Sequence, residues 1–143
     1  MSRRAHRSPA LPRPLSLARA LVLAIGAAGC GSIDGQWLGA CDFGDARYSY
    51  TALLDVSLED GSGVLVSGEV TLDMFDGRSF RGDVEGKRSD TYIEVEGLLT
   101  EDNVSGYNLV LAGDLEDQAI DGTCQFKVPG GAGALTGDMR LER

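Results

Sequence analysis

Apolar side chains alternate with polar ones from Ile33 to the end of the chain, and short segments rich in glycine and aspartate interrupt the alternation. Successive side chains of a β-strand point to opposite faces, so a period of two predicts strands with one buried face. No segment shows the period of 3.6 residues that is typical of an amphipathic helix. The pattern therefore predicts a single all-β domain over residues 33–143.

The alternation divides into eight strands whose inner faces take every second residue. These strands are residues 33–43, 48–58, 64–74, 80–84, 93–99, 107–115, 120–128 and 135–141. Turns such as 59–63 and Asp76-Gly77 connect them, because glycine adopts the positive φ of tight hairpins. Short connections make sequence neighbours spatial neighbours, and closure removes exposed strand edges. We predict an eight-stranded antiparallel up-and-down β-barrel.

A glycine stands two residues before an apolar residue on most of the predicted strands. These glycines are Gly35, Gly68, Gly82, Gly97, Gly113, Gly122 and Gly137. They fall on the inner face, where a missing side chain lets a strand coil sharply in a narrow barrel. The repeat predicts an architectural role and not a phosphate-binding loop.

Residues 1–29 have the parts of a secretory signal peptide. They carry five arginines and no acidic residue, and an uncharged run at 20–29 ends in small side chains. That run is shorter than the about 20 residues that a membrane-spanning helix needs. We expect residues 1–29 to be removed.

The segment Ala27-Ala28-Gly29-Cys30 resembles the lipobox of bacterial lipoproteins. The resemblance implies cleavage before Cys30, a diacylglycerol thioether on its sulfur and acylation of its amino group. Residues 30–32 would then form a lipidated membrane anchor, and Gly31 in place of an aspartate implies the outer membrane. The alternative is an ordinary signal peptide that leaves Cys30 as a free thiol.

The two remaining cysteines, Cys41 and Cys124, are predicted to form a disulfide because secreted domains pair their thiols. They lie on the first and seventh strands, which the eighth separates. Two strand spacings of about 4.8 Å each slightly exceed the reach of a disulfide, so barrel curvature or a position at the end of the barrel must bring the cysteines closer.

Charge and composition exclude several functions. The residues after position 29 include 8 basic and 22 acidic side chains, a formal net charge of −14 that repels nucleic acid phosphates. The one histidine, His6, belongs to the predicted signal peptide. The mature chain therefore lacks an imidazole for acid–base catalysis or a typical zinc site. We expect no enzymatic activity, no cofactor and no metal.

Gly35-Gln36-Trp37 on the first strand, eight hairpin-linked strands and a last strand bearing Arg140 and Arg143 resemble the calycin group of lipocalins and avidins. The resemblance implies that Trp37 closes one end of the barrel, with Arg140 or Arg143 over its ring. The predicted interior is almost wholly apolar. It is therefore either a packed core or a site for a small apolar ligand, and a polar ligand is disfavoured.

These features favour a non-enzymatic, lipid-anchored β-barrel of the cell envelope that binds a protein partner or a small apolar ligand. The alternative is an inhibitor of an extracytoplasmic protease, because small barrels with one disulfide also resemble bacterial metalloprotease inhibitors. Those inhibitors insert a free amino-terminal strand into the enzyme, whereas lipidation of Cys30 leaves only Gly31 and Ser32 ahead of the domain. The partner and the oligomeric state are left open.

Overall fold

The computed structural model describes residues 31–44 and 49–143, which form eight β-strands. The strands are β1 (Gly35–Gly44), β2 (Ser49–Asp60), β3 (Leu65–Met74), β4 (Ser79–Arg88), β5 (Tyr92–Glu101), β6 (Val104–Leu115), β7 (Ala119–Lys127) and β8 (Ala134–Glu142). The predicted signal peptide, Cys30 and Tyr48 lie outside the described residues. Within those residues, no helix is long and apolar enough to cross a bilayer.

The eight strands form one closed barrel in chain order, and every neighbouring pair is antiparallel. Six residue pairs, from Leu38 and Glu142 to Phe43 and Gly137, join β1 to β8 and close the sheet. From β2 to β8, a connection of two to six residues joins each strand to the next. The predicted up-and-down barrel is confirmed. The two-residue turn between β5 and β6, Asp102-Asn103, has the positive φ of a tight hairpin.

The barrel has two ends, named here for their position relative to the amino terminus. The proximal end contains residues 31–34 and the turns 61–64, 89–91 and 116–118. The distal end contains the turns 75–78, 102–103 and 128–133. Each strand runs from one end to the other, so a residue's position along its strand sets the end to which it belongs.

The predicted inner face is the core of the barrel. One cluster of buried apolar side chains extends over all eight strands, and no polar or charged side chain of the described residues is buried. Four residues that the alternation placed inside are instead 43 to 56% exposed: Tyr50, Val64, Val128 and Leu135. They stand at or beyond strand ends, past the last packed layer of the core, where an inward direction no longer means burial.

Six of the seven glycines of the repeat, all except Gly35, lie where neighbouring backbones approach each other closely. A Cβ atom on Gly68, Gly97 or Gly137 would overlap a backbone carbonyl oxygen of the adjacent strand. Gly113 on β6 and Gly122 on β7 are directly paired, and a Cβ atom on either one would also overlap the backbone of the other strand. These contacts agree with the architectural role predicted for the glycine repeat.

Candidate functional site

A disulfide joins Cys41 on β1 to Cys124 on β7, as predicted. Both residues are fully buried, and their Cα atoms are 6.2 Å apart although β8 lies between their strands. The β8 residue in register with Cys124 is Gly137, which has no side chain and pairs with Phe43 on its other side. The bridge therefore passes over β8 at a glycine, and the tight curvature shortens the distance below two flat strand spacings.

Trp37 closes the proximal end. Its side chain is 1% exposed, and its indole Nε1 donates a hydrogen bond of 2.9 Å to the carbonyl oxygen of Ile33. The guanidinium carbon of Arg143 lies 4.8 Å from the centroid of the Trp37 ring. Arg143 Nη2 also donates to the carbonyl oxygens of Ser32 (2.5 Å) and Asp34 (2.8 Å). Of the two arginines that the calycin resemblance offered, Arg143 occupies this position.

The Arg140 side chain does not cover Trp37 at the proximal end. Its side chain points outward because its neighbours on β8, Met139 and Leu141, point into the core. It is 58% exposed and forms ion pairs with Glu142 and Asp121. Hydrogen bonds to these two carboxylates raise the pKa of Arg140 above its ordinary value. The prediction that included Arg140 in the closure is corrected on this point.

Residues 32–34 are fastened to the barrel by a network that sequence reasoning missed. The Asp34 carboxylate accepts hydrogen bonds from the Ser32 hydroxyl (2.7 Å) and the Asp60 backbone N–H (2.5 Å), and these lower the pKa of Asp34. The Asp60 carboxylate accepts from the Ile33 N–H (3.3 Å) and forms a two-fold ion pair with Arg88. Asp60 lies 26 to 28 residues from its partners Ile33, Asp34 and Arg88, so local sequence patterns do not predict these three contacts.

Four aromatic rings form a layer across the interior near the distal end. Phe80 contacts Tyr107 and Phe126 edge-on, with ring centroids 4.7 and 4.9 Å apart, and Phe43 lies 6.5 Å from Phe126. The Tyr107 hydroxyl donates a hydrogen bond of 3.1 Å to Glu101, which raises the pKa of the phenol. The ring layer thus seals the interior from this side.

The interior contains almost no free space. A cavity of about 10 Å³ lies among the core side chains. It is lined by Val56, Leu58, Ile93, Val95, Leu111, Ile120, Met139 and Leu141. A site for one water molecule begins at about this size and needs polar partners, which these side chains lack. The barrel is therefore filled by its own side chains, one of the two interiors that the sequence left open.

Exposed apolar side chains gather at the distal end, above the aromatic layer. We name this group the distal mouth: Tyr50, Phe75, Val104, Val128 and Leu135. Phe75 is 93% exposed at the tip of the β3–β4 turn, and the other four are 43 to 53% exposed. Contiguous apolar surface on a folded protein usually marks a place where something binds.

Carboxylates dominate the outer face of β3, β4 and β5. Glu69 stands opposite Asp83, and Glu85 stands opposite Glu96, all four exposed. Like charges in these positions repel each other, so the face contributes a strong local negative field. Even so, residues 31–44 and 49–143 contain no group of three or more His, Cys, Asp or Glu side chains arranged to hold a metal ion.

Comparison with known proteins identifies the fold. No protein-family model matches the chain, and no curated protein matches it in sequence. Among solved structures, the chain is similar to EF1p2_mFAP2b bound to DFHBI, with a TM-score of 0.61 and 12% sequence identity. The match covers 77% of this chain and 92% of that one. The chain therefore has the fold of a closed, calycin-like, eight-stranded barrel.

Proposed function

We propose that this chain is a non-enzymatic, lipid-anchored protein of the bacterial cell envelope that binds a protein partner through its distal mouth. The observation that carries the proposal is the distribution of exposed apolar side chains. Of the eleven large ones among the described residues, five lie at the distal mouth, three at the proximal end and three on the sides of the barrel. The distal group includes the most exposed of all, Phe75.

The filled interior supports binding at the surface. A cavity of about 10 Å³ holds no organic molecule, whereas ligand pockets of drug-sized molecules occupy about 300 Å³ or more. Tyr50, Val128 and Leu135 extend the inner-face rows of their strands beyond the core. Their apolar atoms face solvent in the free protein, and burial against a partner would remove them from water.

Comparison of native complexes tests this binding mode. Envelope extracts carrying the wild-type chain, Phe75→Ser or Leu98→Ser are separated by native electrophoresis. Leu98 is a matched control because it is 64% exposed but lies on the side of the barrel. We expect a complex larger than the mature chain alone for the wild type and Leu98→Ser, and its loss in Phe75→Ser. Loss in both variants, or in neither, contradicts a partner at the distal mouth.

A small apolar ligand seated in the distal mouth is the second candidate. The similar barrel EF1p2_mFAP2b was solved bound to DFHBI, which favours this candidate by analogy of fold. Here the ligand would lie on the aromatic layer of Phe43, Phe80, Tyr107 and Phe126, since the core below is filled. Fluorescence titration with DFHBI and with anilinonaphthalene sulfonate tests it. Saturable dye binding that is weakened in Leu135→Ser would support a small apolar ligand. If neither dye binds, the protein partner is the better proposal.

The lipid anchor is proposed from the lipobox and from the fate of the other cysteines. Cys41 and Cys124 are joined to each other, so Cys30 is the odd thiol of a chain with three cysteines. Intact-mass spectrometry of the membrane-extracted protein, with and without reductant, tests this proposal. We expect a chain that begins at Cys30 and carries acyl groups. A mature mass without acyl groups contradicts the anchor.

The absence of catalysis is supported by the chemistry that the described residues offer. Their two cysteines form a buried disulfide, and the chain's one histidine lies in the predicted signal peptide. The carboxylates of the acidic outer face are exposed on an open sheet surface, which does not exclude water from a reacting group.

Protease inhibition through an amino-terminal strand fits the structure less well. Such a mechanism needs a free strand ahead of the barrel. Here Ile33 is 1% exposed, and Ser32 and Asp34 are held by Arg143 and Asp60. An inhibition assay against extracytoplasmic metalloproteases tests this alternative. Inhibition at stoichiometric concentrations would make protease inhibition the leading function.

A further inference from the structure

We infer that the barrel stands end-on at the membrane, with its proximal end resting in the headgroup region of a zwitterionic bilayer and its distal mouth facing away. This inference rests on the lipid anchor of the proposed function. It adds a second interaction surface, whose partner is the lipid itself. The first observation that supports it is the short length of chain between the anchor and the barrel.

The connection from Cys30 to the folded domain is very short. Only Gly31 and Ser32 separate Cys30 from Ile33, which is buried at the proximal end. Consecutive Cα atoms are 3.8 Å apart, so the Cα atom of Cys30 lies within about 11 Å of that of Ile33. Acyl chains on Cys30 would therefore enter the bilayer directly beside the proximal end.

The connection is also fixed to the barrel. Arg143 holds the Ser32 and Asp34 carbonyl oxygens, and Asp60 holds the Ile33 N–H. These bonds prevent residues 32–34 from extending into a longer tether. The anchor therefore sets the orientation of the barrel as well as its location. Strands of ten residues, tilted as in closed barrels, place the distal mouth about 25 Å farther from the bilayer.

The proximal end carries side chains suited to a lipid interface. Three exposed apolar residues lie there, Val64 (56%), Leu65 (51%) and Tyr92 (43%), and we name them the proximal rim. The Val64 carbonyl accepts the Arg88 N–H at 2.8 Å, and Leu65 stands opposite Lys87. Aliphatic side chains beside a tyrosine and a lysine match the boundary between acyl chains and headgroups, where amphipathic residues have one apolar and one wet end.

The charges around the proximal rim select the kind of headgroup. The turns of the same end carry Asp90, Glu116 and Asp117, all exposed. These carboxylates repel anionic headgroups, whereas phosphatidylethanolamine and phosphatidylcholine have no net charge. The proximal end thus fits a zwitterionic surface.

Depth-dependent fluorescence quenching tests the orientation. Membrane-extracted protein is reconstituted in vesicles of phosphatidylethanolamine and phosphatidylcholine, with or without bromine on the acyl chains. Leu65→Trp reports on the proximal rim, Phe75→Trp on the distal mouth and Leu98→Trp on the side of the barrel. The parent protein gives the signal of the buried Trp37. Tyr92→Trp is a second proximal reporter that retains an aromatic side chain.

The Trp37 signal of the parent protein is subtracted from that of each variant. We expect bromine to quench the introduced tryptophan of Leu65→Trp and Tyr92→Trp, and to leave that of Phe75→Trp and Leu98→Trp unchanged. Quenching of Leu98→Trp or Phe75→Trp would overturn the end-on orientation, and so would the absence of quenching in both proximal reporters. Intact mass of the same samples reads the anchor separately. If Cys30 has no acyl groups, its thiol is coupled to a maleimide lipid, and the quenching pattern then decides the orientation alone.

Discussion

Arg143, the last residue of the chain, lies over the ring of Trp37 on the first strand, with its guanidinium carbon 4.8 Å from the ring centroid. The same guanidinium binds the backbone of Ser32 and Asp34. One side chain therefore joins the residue after β8, the first strand and the segment that precedes β1. This arrangement makes the proximal end a rigid base, and it underlies both the closure of the barrel and its proposed seating at the membrane.

Removal of the Arg143 side chain tests the strength of that base. Arg143→Ala loses a cation–π contact and two charge-assisted hydrogen bonds, so we expect the free energy of unfolding to fall by about 1 to 3 kcal/mol. Arg140→Ala is the matched control. Solvent screens its surface ion pairs, so we expect Arg140→Ala to lower the free energy of unfolding less than Arg143→Ala does. Urea unfolding of both variants measures the difference, and equal losses would show that Arg143 is only another surface arginine.

Removal of the disulfide has a larger expected effect. Cys41 and Cys124 are separated by 83 positions, and closing a loop of that length lowers the entropy of the unfolded chain. We expect Cys41→Ala/Cys124→Ala to lower the free energy of unfolding by about 4 to 5 kcal/mol on the chain-entropy estimate. Reductant should produce a similar loss in the wild type and none in the double variant. If the denaturation midpoint of the wild type does not change with reductant, the result would contradict a disulfide in solution.

Gly137 tests the close approach of backbones beneath the bridge. A Cβ atom there would overlap the Asp42 carbonyl group, so Gly137→Ala must displace β8 from β1. We expect a loss of about 1 to 3 kcal/mol, the usual cost of overpacking. In Gly133→Ala the new Cβ meets nothing within 4 Å, and we expect a change within about 0.5 kcal/mol. Thermal unfolding followed by circular dichroism compares the two, and a neutral Gly137→Ala would refute the packing argument.

Acid should weaken the attachment of residues 32–34. Hydrogen bonds from Ser32 and from the Asp60 N–H lower the pKa of Asp34 below its ordinary value of 3.8. A depressed folded-state pKa stabilises the fold above the unfolded value, and this stabilisation is lost as the pH falls through the folded value. Ser32→Ala should therefore move the Asp34 pKa back upward, as measured by carboxyl NMR titration.

The same linkage predicts a change in the pH dependence of stability. Asp34→Asn should be less stable than the wild type at pH 7, with a smaller further loss between pH 4 and the folded-state pKa. Glu94→Gln, at an exposed carboxylate on the outer face of β5, is the control and should retain the wild-type acid limb. Urea unfolding across the pH series measures both, and identical acid limbs for Asp34→Asn and the wild type would contradict the role of Asp34.

Most of the barrel follows from local properties of the sequence. Period-two alternation assigns the inner and outer faces, and turn residues such as Asp76-Gly77 divide the strands, because both signals act within a few residues. The same local reasoning misplaced Tyr50 and Leu135. Alternation gives the direction of a side chain but not the distance of that residue from the end of the packed core.

The site depends on contacts that sequence patterns do not contain. Asp34, Asp60 and Arg88 meet at the proximal end only because the register of β2, β3 and β4 brings them together. The sequence predicts the pairing of Cys41 with Cys124, but two strand spacings of a flat sheet overestimate their separation. The inner-face glycines allow a curvature that the flat-sheet distance leaves out. Both outcomes depend on the three-dimensional closure of the sheet.

Binding of a protein partner at the distal mouth of the membrane-anchored barrel is the central proposal. Photo-crosslinking in intact cells tests it most directly, with p-benzoylphenylalanine replacing Phe75 or, as a control at an exposed position on the side of the barrel, Leu98. We predict one discrete protein adduct from position 75 after irradiation, identified by mass spectrometry, and none from position 98. The same adducts from both positions, or none from position 75, would contradict the claim.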